Sequence, residues 1–136
     1  TKQKRLSRVK ELSNVFSSKN PDSKKLVLDY FKGNNRFTME IGCGHGDYSI
    51  ELAHKFPDRN FIGVDVKGAR IFNGALKAID KNLDNVAFLI AKAENLNEIF
   101  QPKSIEEIII PHRVVSGLLW LTILKTIPKI RPTAKM

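Results

Sequence analysis

The chain has 136 residues, enough for one domain with a modest core, and its 42% apolar share is ordinary for a globular protein. Cys43 is the only cysteine, which excludes an intramolecular disulfide, and the longest apolar run, Leu118 to Leu124, is broken by Thr122 and too short to span a bilayer. The formal net charge of +9 is unevenly placed: residues 1–25 carry eight Lys/Arg against two acids, residues 26–110 ten against twelve, and residues 111–136 five against none. That distribution divides the chain into a basic arm, 1–25, and a domain, 26–136. It implies a polyanionic partner, nucleic acid, gripped from basic flanks, the alternative being tails that only keep the protein soluble; no membrane partner is expected. The basic N-terminus is not followed by an apolar run, so no signal peptide is expected, and the lone thiol fits a reducing cytoplasm.

In chain order, Leu6, Val9 and Leu12 recur at three-residue spacing and predict a short helix from Arg5 to Leu12. Asn20-Pro-Asp22 is a turn. Ser23 opens a helix through Phe31, with Leu26, Val27, Tyr30 and Phe31 on one face, and Gly33-Asn-Asn35 ends it. Strands are expected at Phe37–Gly42, Asn60–Val66, Asn85–Ala91 and Glu106–Ile110. Between them fall helices at Asp47–Phe56 (Ile50, Leu52, Ala53 and Phe56 inward) and Gly68–Lys81 (Ile71, Phe72, Ala75, Ala78 and Ile79 inward), then a short helical turn at Leu96–Phe100. A last helix is expected at Val114–Ile127. The βα alternation implies an α/β fold with a mostly parallel sheet and helices on both faces. Four strands alone would leave an open sheet edge.

The chemistry concentrates at Met39-Glu-Ile-Gly-Cys-Gly-His-Gly46 and Ile62-Gly-Val-Asp65. A strand running into a glycine turn and a helix, followed by a second strand that ends in an acid, is how open α/β folds hold nucleotide-like ligands. Gly42, Gly44 and Gly46 form G-x-G-x-G, whereas a dinucleotide fingerprint would need its third glycine at Asp47. Glu40 lies two residues ahead of the turn, where it would repel a diphosphate and attract a cation. Adenosine with a sulfonium tail therefore fits, and the pattern points to S-adenosylmethionine. Glu40 is expected beneath the turn, accepting hydrogen bonds from backbone N–H groups or the methionine ammonium. Gly44 and Gly46 leave room for the tail, and Asp65 takes the ribose hydroxyls. In such folds the adenine lies near the loop after the third strand, so Glu94 or the backbone of Ala93 is a candidate contact, the alternative for Glu94 being a solvated loop acid. His45, His54 and His112 form no metal constellation, and no CxxC or HxxxH spacing occurs, so no metal is expected.

Three stretches resemble the bacterial tRNA (guanine-N7-)-methyltransferases: Glu40-Ile-Gly-Cys-Gly-His-Gly-Asp-Tyr48, Phe56-Pro-Asp-Arg-Asn-Phe-Ile-Gly-Val-Asp-Val-Lys-Gly-Ala-Arg70 and Asn85-Val-Ala-Phe-Leu89. The similarity runs from about Arg5 to Ile110, and Asn14-Val-Phe16 resembles the family's tRNA-contacting N-terminal segment. The resemblance implies a Rossmann-like class I methyltransferase fold, with Glu40 and Asp65 on S-adenosylmethionine. It also implies methyl transfer to N7 of a guanine in the tRNA variable loop. Beyond Ile110 the chain departs from that pattern. It reads Pro-His-Arg-Val-Val-Ser where the family carries a Phe-Pro-Asp-Pro loop with an acid, and the family's later strands have no counterpart. Lys92 likewise stands where many members carry an acid. The fold is thus expected to be incomplete at its C-terminal end, no catalytic residue is assigned, and the oligomeric state is undetermined. Two other readings compete: a basic RNA-binding module that keeps the cofactor fold without catalysis, and a nicotinamide-linked oxidoreductase, which the missing dinucleotide glycine opposes.

Overall fold

The computed structural model of the protein describes residues 2–8, 11–34, 36–100 and 104–110. Its centre is a five-stranded parallel sheet of β1 (Val15–Ser17), β2 (Phe37–Ile41), β3 (Phe61–Asp65), β4 (Val86–Ile90) and β5 (Ile105–Ile109), in the order β1-β4-β3-β2-β5. The helices are α1 (Lys2–Arg8), α2 (Ser23–Tyr30), α3 (Asp47–Lys55) and α4 (Gly68–Asp80), with a 3₁₀ turn at Ala93–Glu98.

Period-two alternation divides each strand between two cores. Phe37 and Met39 of β2, Ile62 and Val64 of β3, and Ala87 and Leu89 of β4 face one side, covered by Val27 and Phe31 at α2 and by Leu96, Ile99 and Phe100. Phe61 of β3 and Val86 and Phe88 of β4 face the other, under Ile50 and Ala53 of α3 and Ile71, Phe72, Ala75 and Ala78 of α4. Both faces are covered, which is why β3 and β4 read as continuous apolar runs in the sequence. In β5 the alternation slips: Ile105 and Ile108 share one core although they stand an odd number of positions, three, apart. The pairing explains this, because Phe37 faces Ile105 while Thr38 faces Glu107, so Glu106 is a bulge residue. Glu106 turns to the surface and pairs with Arg36 at 3.1 Å.

The predicted strands and the helices α2 to α4 stand within a few residues of their expected places, with four differences. The first helix is described over Lys2–Arg8, and Leu12, expected to close it, is not helical. The turn after β4 begins at Ala93 rather than Leu96. Leu26, expected on one face with Val27, and Ile79, expected inward, are exposed. The fourth difference is β1, which lies inside the segment expected as an arm. Val15–Ser17 pairs with Phe88–Ile90. The Asn14 carbonyl accepts from Phe88 N–H at 2.8 Å, and Ser18 N–H donates to the Ile90 carbonyl at 3.0 Å. The edge of β4, open in a four-strand reading, is therefore paired. The Asn14-Val-Phe16 stretch serves this join: Asn14 and Val15 are buried, and Asn14 Nδ2 donates to the Ala75 carbonyl of α4 at 3.1 Å. The helix expected at Val114–Ile127 lies outside the described residues.

One buried amide ties the α3–β3 connection to β4. Asn85 Nδ2 lies 3.0, 3.1 and 2.9 Å from the carbonyl oxygens of Ala53, Phe56 and Arg59. The Ala53 carbonyl lies in the last turn of α3, where intrahelical donors run out, and those of Phe56 and Arg59 follow the helix. Asn85→Ala should lower the unfolding free energy by about 2 kcal/mol, because it leaves buried acceptors without a donor; urea denaturation of the two proteins measures it.

Candidate functional site

β2 is flanked by β3 on one side and β5 on the other, so the chain reverses its direction of travel across the sheet at β2. The crevice beyond the C-terminal strand ends at such a reversal is where open α/β sheets bind ligands. The glycine turn, residues 42–46, leaves β2 at that point. Gly42, Gly44 and Gly46 have φ of 75°, 58° and 75°, the left-handed region that side chains other than glycine rarely adopt. The turn is held from below: Gly42 and Cys43 N–H both donate to the Val64 carbonyl, at 2.8 and 2.9 Å. Above Gly44 the space is open, since a Cβ there would meet nothing within 4 Å.

Asp65, at the end of β3, is buried and fastens three loops. Its Oδ2 accepts from Gly44 N–H at 2.9 Å, its Oδ1 from Lys67 N–H at 2.9 Å, and its backbone carbonyl from Ala91 N–H at 3.1 Å. Each carboxylate oxygen thereby uses one backbone donor and keeps capacity for a second. Glu40 is buried one strand away. Its Oε1 accepts from Ser49 Oγ–H of α3 at 2.7 Å. Burial pushes its carboxyl up to about 7; the Ser49 hydroxyl and backbone N–H oppose that, and the charges of Asp47 and Asp65 add to it. Cys43 is buried within the turn, and burial pushes its thiol well up.

The other expected site residues lie around the same rim. Ala93, half-buried against the apolar core, and Glu94, exposed, begin the 3₁₀ turn just beyond β4. His45 is exposed on the turn, with Nδ1 3.2 Å from Asn73 Nδ2 of α4. His54 is exposed on α3. Among the described residues no group of three His, Cys, Asp or Glu is arranged to hold a metal ion, and no helix is long and apolar enough to cross a membrane. Ser49 was not singled out by sequence reasoning. Its signal was present: a hydroxyl beside Ile50 on the inward stripe of an amphipathic helix needs a buried partner.

A parallel sheet with a glycine turn at its reversal, one acid beneath the turn and another at the neighbouring strand end, defines a Rossmann-like α/β domain. A family profile described as "Putative methyltransferase" matches residues 34–112, which contain the glycine turn and both acids, and the chain belongs to that family. The chain is 42% identical over 102 residues to a tRNA (guanine-N(7)-)-methyltransferase of Christiangramia forsetii, covering 75% of this chain and 44% of the relative. It is 41% identical over 80 residues to the protein of the same name in Bacteroides fragilis, covering 59% and 32%. The chain thus spans less than half the length of these relatives. Among solved structures, that of an antibiotic-related methyltransferase superposes with a TM-score of 0.60 at 25% identity, covering 73% of this chain and 51% of the other.

The raised Glu40 carboxyl makes stability depend on pH. The folded state holds its proton up to about pH 7, while the unfolded chain releases it near 4.5. Between those values the folded state binds more protons, so stability falls as pH rises through the window and levels off above it. Measured against Glu40→Gln, which does not titrate, wild type should lose about 3 kcal/mol of unfolding free energy from pH 4.5 to pH 7. Urea titrations at several pH values test this.

Proposed function

We propose that this chain carries the cofactor-binding part of an S-adenosylmethionine-dependent enzyme that methylates N7 of a guanine in the variable loop of tRNA. The observation that carries the reading is the 42% identity over 102 residues to a tRNA (guanine-N(7)-)-methyltransferase. The residues present fit the cofactor. The turn exposes bare backbone at Gly44, and Asp65 keeps acceptor capacity for vicinal ribose hydroxyls. Glu40 is a buried carboxylate whose ionised form a neighbouring ammonium would favour. The sulfonium supplies an activated methyl group when bound.

Guanine N7 carries a lone pair, so the acceptor needs no strong base. The protein's work is to align nucleophile, methyl and sulfur and to exclude water. Ala93 and Glu94 stand at the rim that would border the adenine. The basic arm, residues 1–25, and the basic segment 111–136 would meet tRNA phosphates, and such a substrate places the reaction in the cytoplasm. A guanine in a folded loop is presented unstacked, so no duplex groove has to be read. No catalytic residue is assigned.

Asp65→Ala should weaken S-adenosylmethionine binding by about 1–3 kcal/mol, the worth of charge-assisted hydrogen bonds. Calorimetric titration beside a melting curve separates that loss from a loss of fold. Wild-type affinity in the variant removes Asp65 from the site. Incubation with methyl-labelled cofactor and unmodified tRNA should label a variable-loop guanine; cofactor binding without any transfer would favour the non-catalytic RNA-binding reading.

The electrostatic part is checked separately. Lys2, Lys19 and Lys24 are exposed. Replacing all three with alanine should flatten the dependence of log affinity for tRNA on log salt by about 0.7–0.9 for each phosphate that is no longer neutralised. An unchanged slope assigns these lysines to solubility alone.

A further inference from the structure

Phe88 is wholly buried at the middle of β4, and three glycines from three different elements crowd its ring. A Cβ on Gly46 of the turn would lie 2.5 Å from Phe88 Cε1. On Gly63 of β3 it would lie 3.0 Å from Phe88 Cδ1 and 3.0 Å from Cys43 Sγ. On Gly74 of α4 it would lie 3.4 Å from Phe88 Cζ and would run into the backbone carbonyl oxygen of His45. Gly46 needs glycine for its φ as well, but Gly74 does not: it lies inside α4, where alanine would favour the helix. Only the approach of the turn explains its bare backbone. Beside that approach α4 holds the turn through Asn73 to His45 at 3.2 Å, and the start of α3 that follows it through Lys77 to Asp47 at 2.7 Å.

We propose that Gly74 and Phe88 are positioning residues for the cofactor. The bare helix backbone at Gly74 seats the His45 carbonyl, the Phe88 ring supports Gly46 from beneath, and together they hold residues 42–46 in the binding conformation. The inference rests on the reading of the turn as the S-adenosylmethionine site. The glycine turn is then no free-standing flap. Its shape is dictated by a side chain two strands away and by a helix glycine outside the G-x-G-x-G pattern.

A glycine kept merely for packing would cost stability when replaced. A glycine kept to seat the turn should cost affinity as well and displace the turn, because the alanine Cβ meets the His45 backbone carbonyl, which has to move. Gly74→Ala in the full chain should therefore melt below wild type and, at a temperature where it is still folded, bind S-adenosylmethionine at least about tenfold more weakly. Its Cys43–Asp47 amide signals should shift, and the Gly44 N–H, held by Asp65 in wild type, should lose protection from hydrogen exchange. Asp80→Ala, at the exposed end of the same helix, should change none of these. A folded Gly74→Ala protein with wild-type affinity and unmoved turn signals overturns the proposal. If wild type itself binds no S-adenosylmethionine, the cofactor reading fails, while the turn signals still decide whether Gly74 seats the turn.

A double-mutant cycle decides the matter should Gly74→Ala not fold. Gly63→Ala presses on the Phe88 ring, and Phe88→Leu makes room. The pair should recover at least about threefold of the affinity, or the matching part of the turn-signal shift, lost by Gly63→Ala alone. Losses that simply add overturn the role of Phe88.

Discussion

The architecture of the site depends on how the Asp65 carboxylate is compensated. A buried charge is tolerable only when polar partners replace its lost water. Here the partners are backbone N–H groups of Gly44 and Lys67, one on each oxygen, while the Asp65 carbonyl takes Ala91 N–H. The exits of β2, β3 and β4 are thereby fastened at one point. Loops that would otherwise be independent form one rim, and that rim is the crevice where the sheet order reverses.

Glu40 is the counterpart with less compensation. It lies on the neighbouring strand, and its chief partner is one serine hydroxyl, 2.7 Å away. Desolvation prevails, and its carboxyl rises to about 7. Asp65 and Asp47 push in the same direction. Two acids held near one turn, one of them short of donors, make a place where a cationic group would be stabilised and a diphosphate would not. The contrast follows from position. Asp65 sits at a strand end, where free N–H groups are plentiful, whereas Glu40 sits inside β2, where backbone donors are committed to the sheet.

Packing supplies the second constraint. Phe88 fills the space beneath the turn, and Gly46, Gly63 and Gly74 each lack the atom that would collide with it or with the turn. Close packing lets one aromatic ring, 0% exposed, govern a loop at the surface. The bulge at Glu106 works in the same way at the other side of β2. It keeps Ile105 and Ile108 in one core while sending a charge to solvent, where Arg36 meets it.

Local pattern alone determined the four long strands, the helices α2 to α4 and the turn with its two acids. Each announces itself within a few neighbouring residues, as a period, a glycine spacing or an apolar run. Only the tertiary structure decided the rest. Val15–Ser17 is too short to show alternation, and it is a strand because Phe88–Ile90 offers it an edge. Ser49 matters because α3 lays it against Glu40, and Gly74 because α4 passes under His45. Asp65 binds Gly44 across 21 positions of sequence. Contacts of that range are set by how the elements stack, and no local period reveals them.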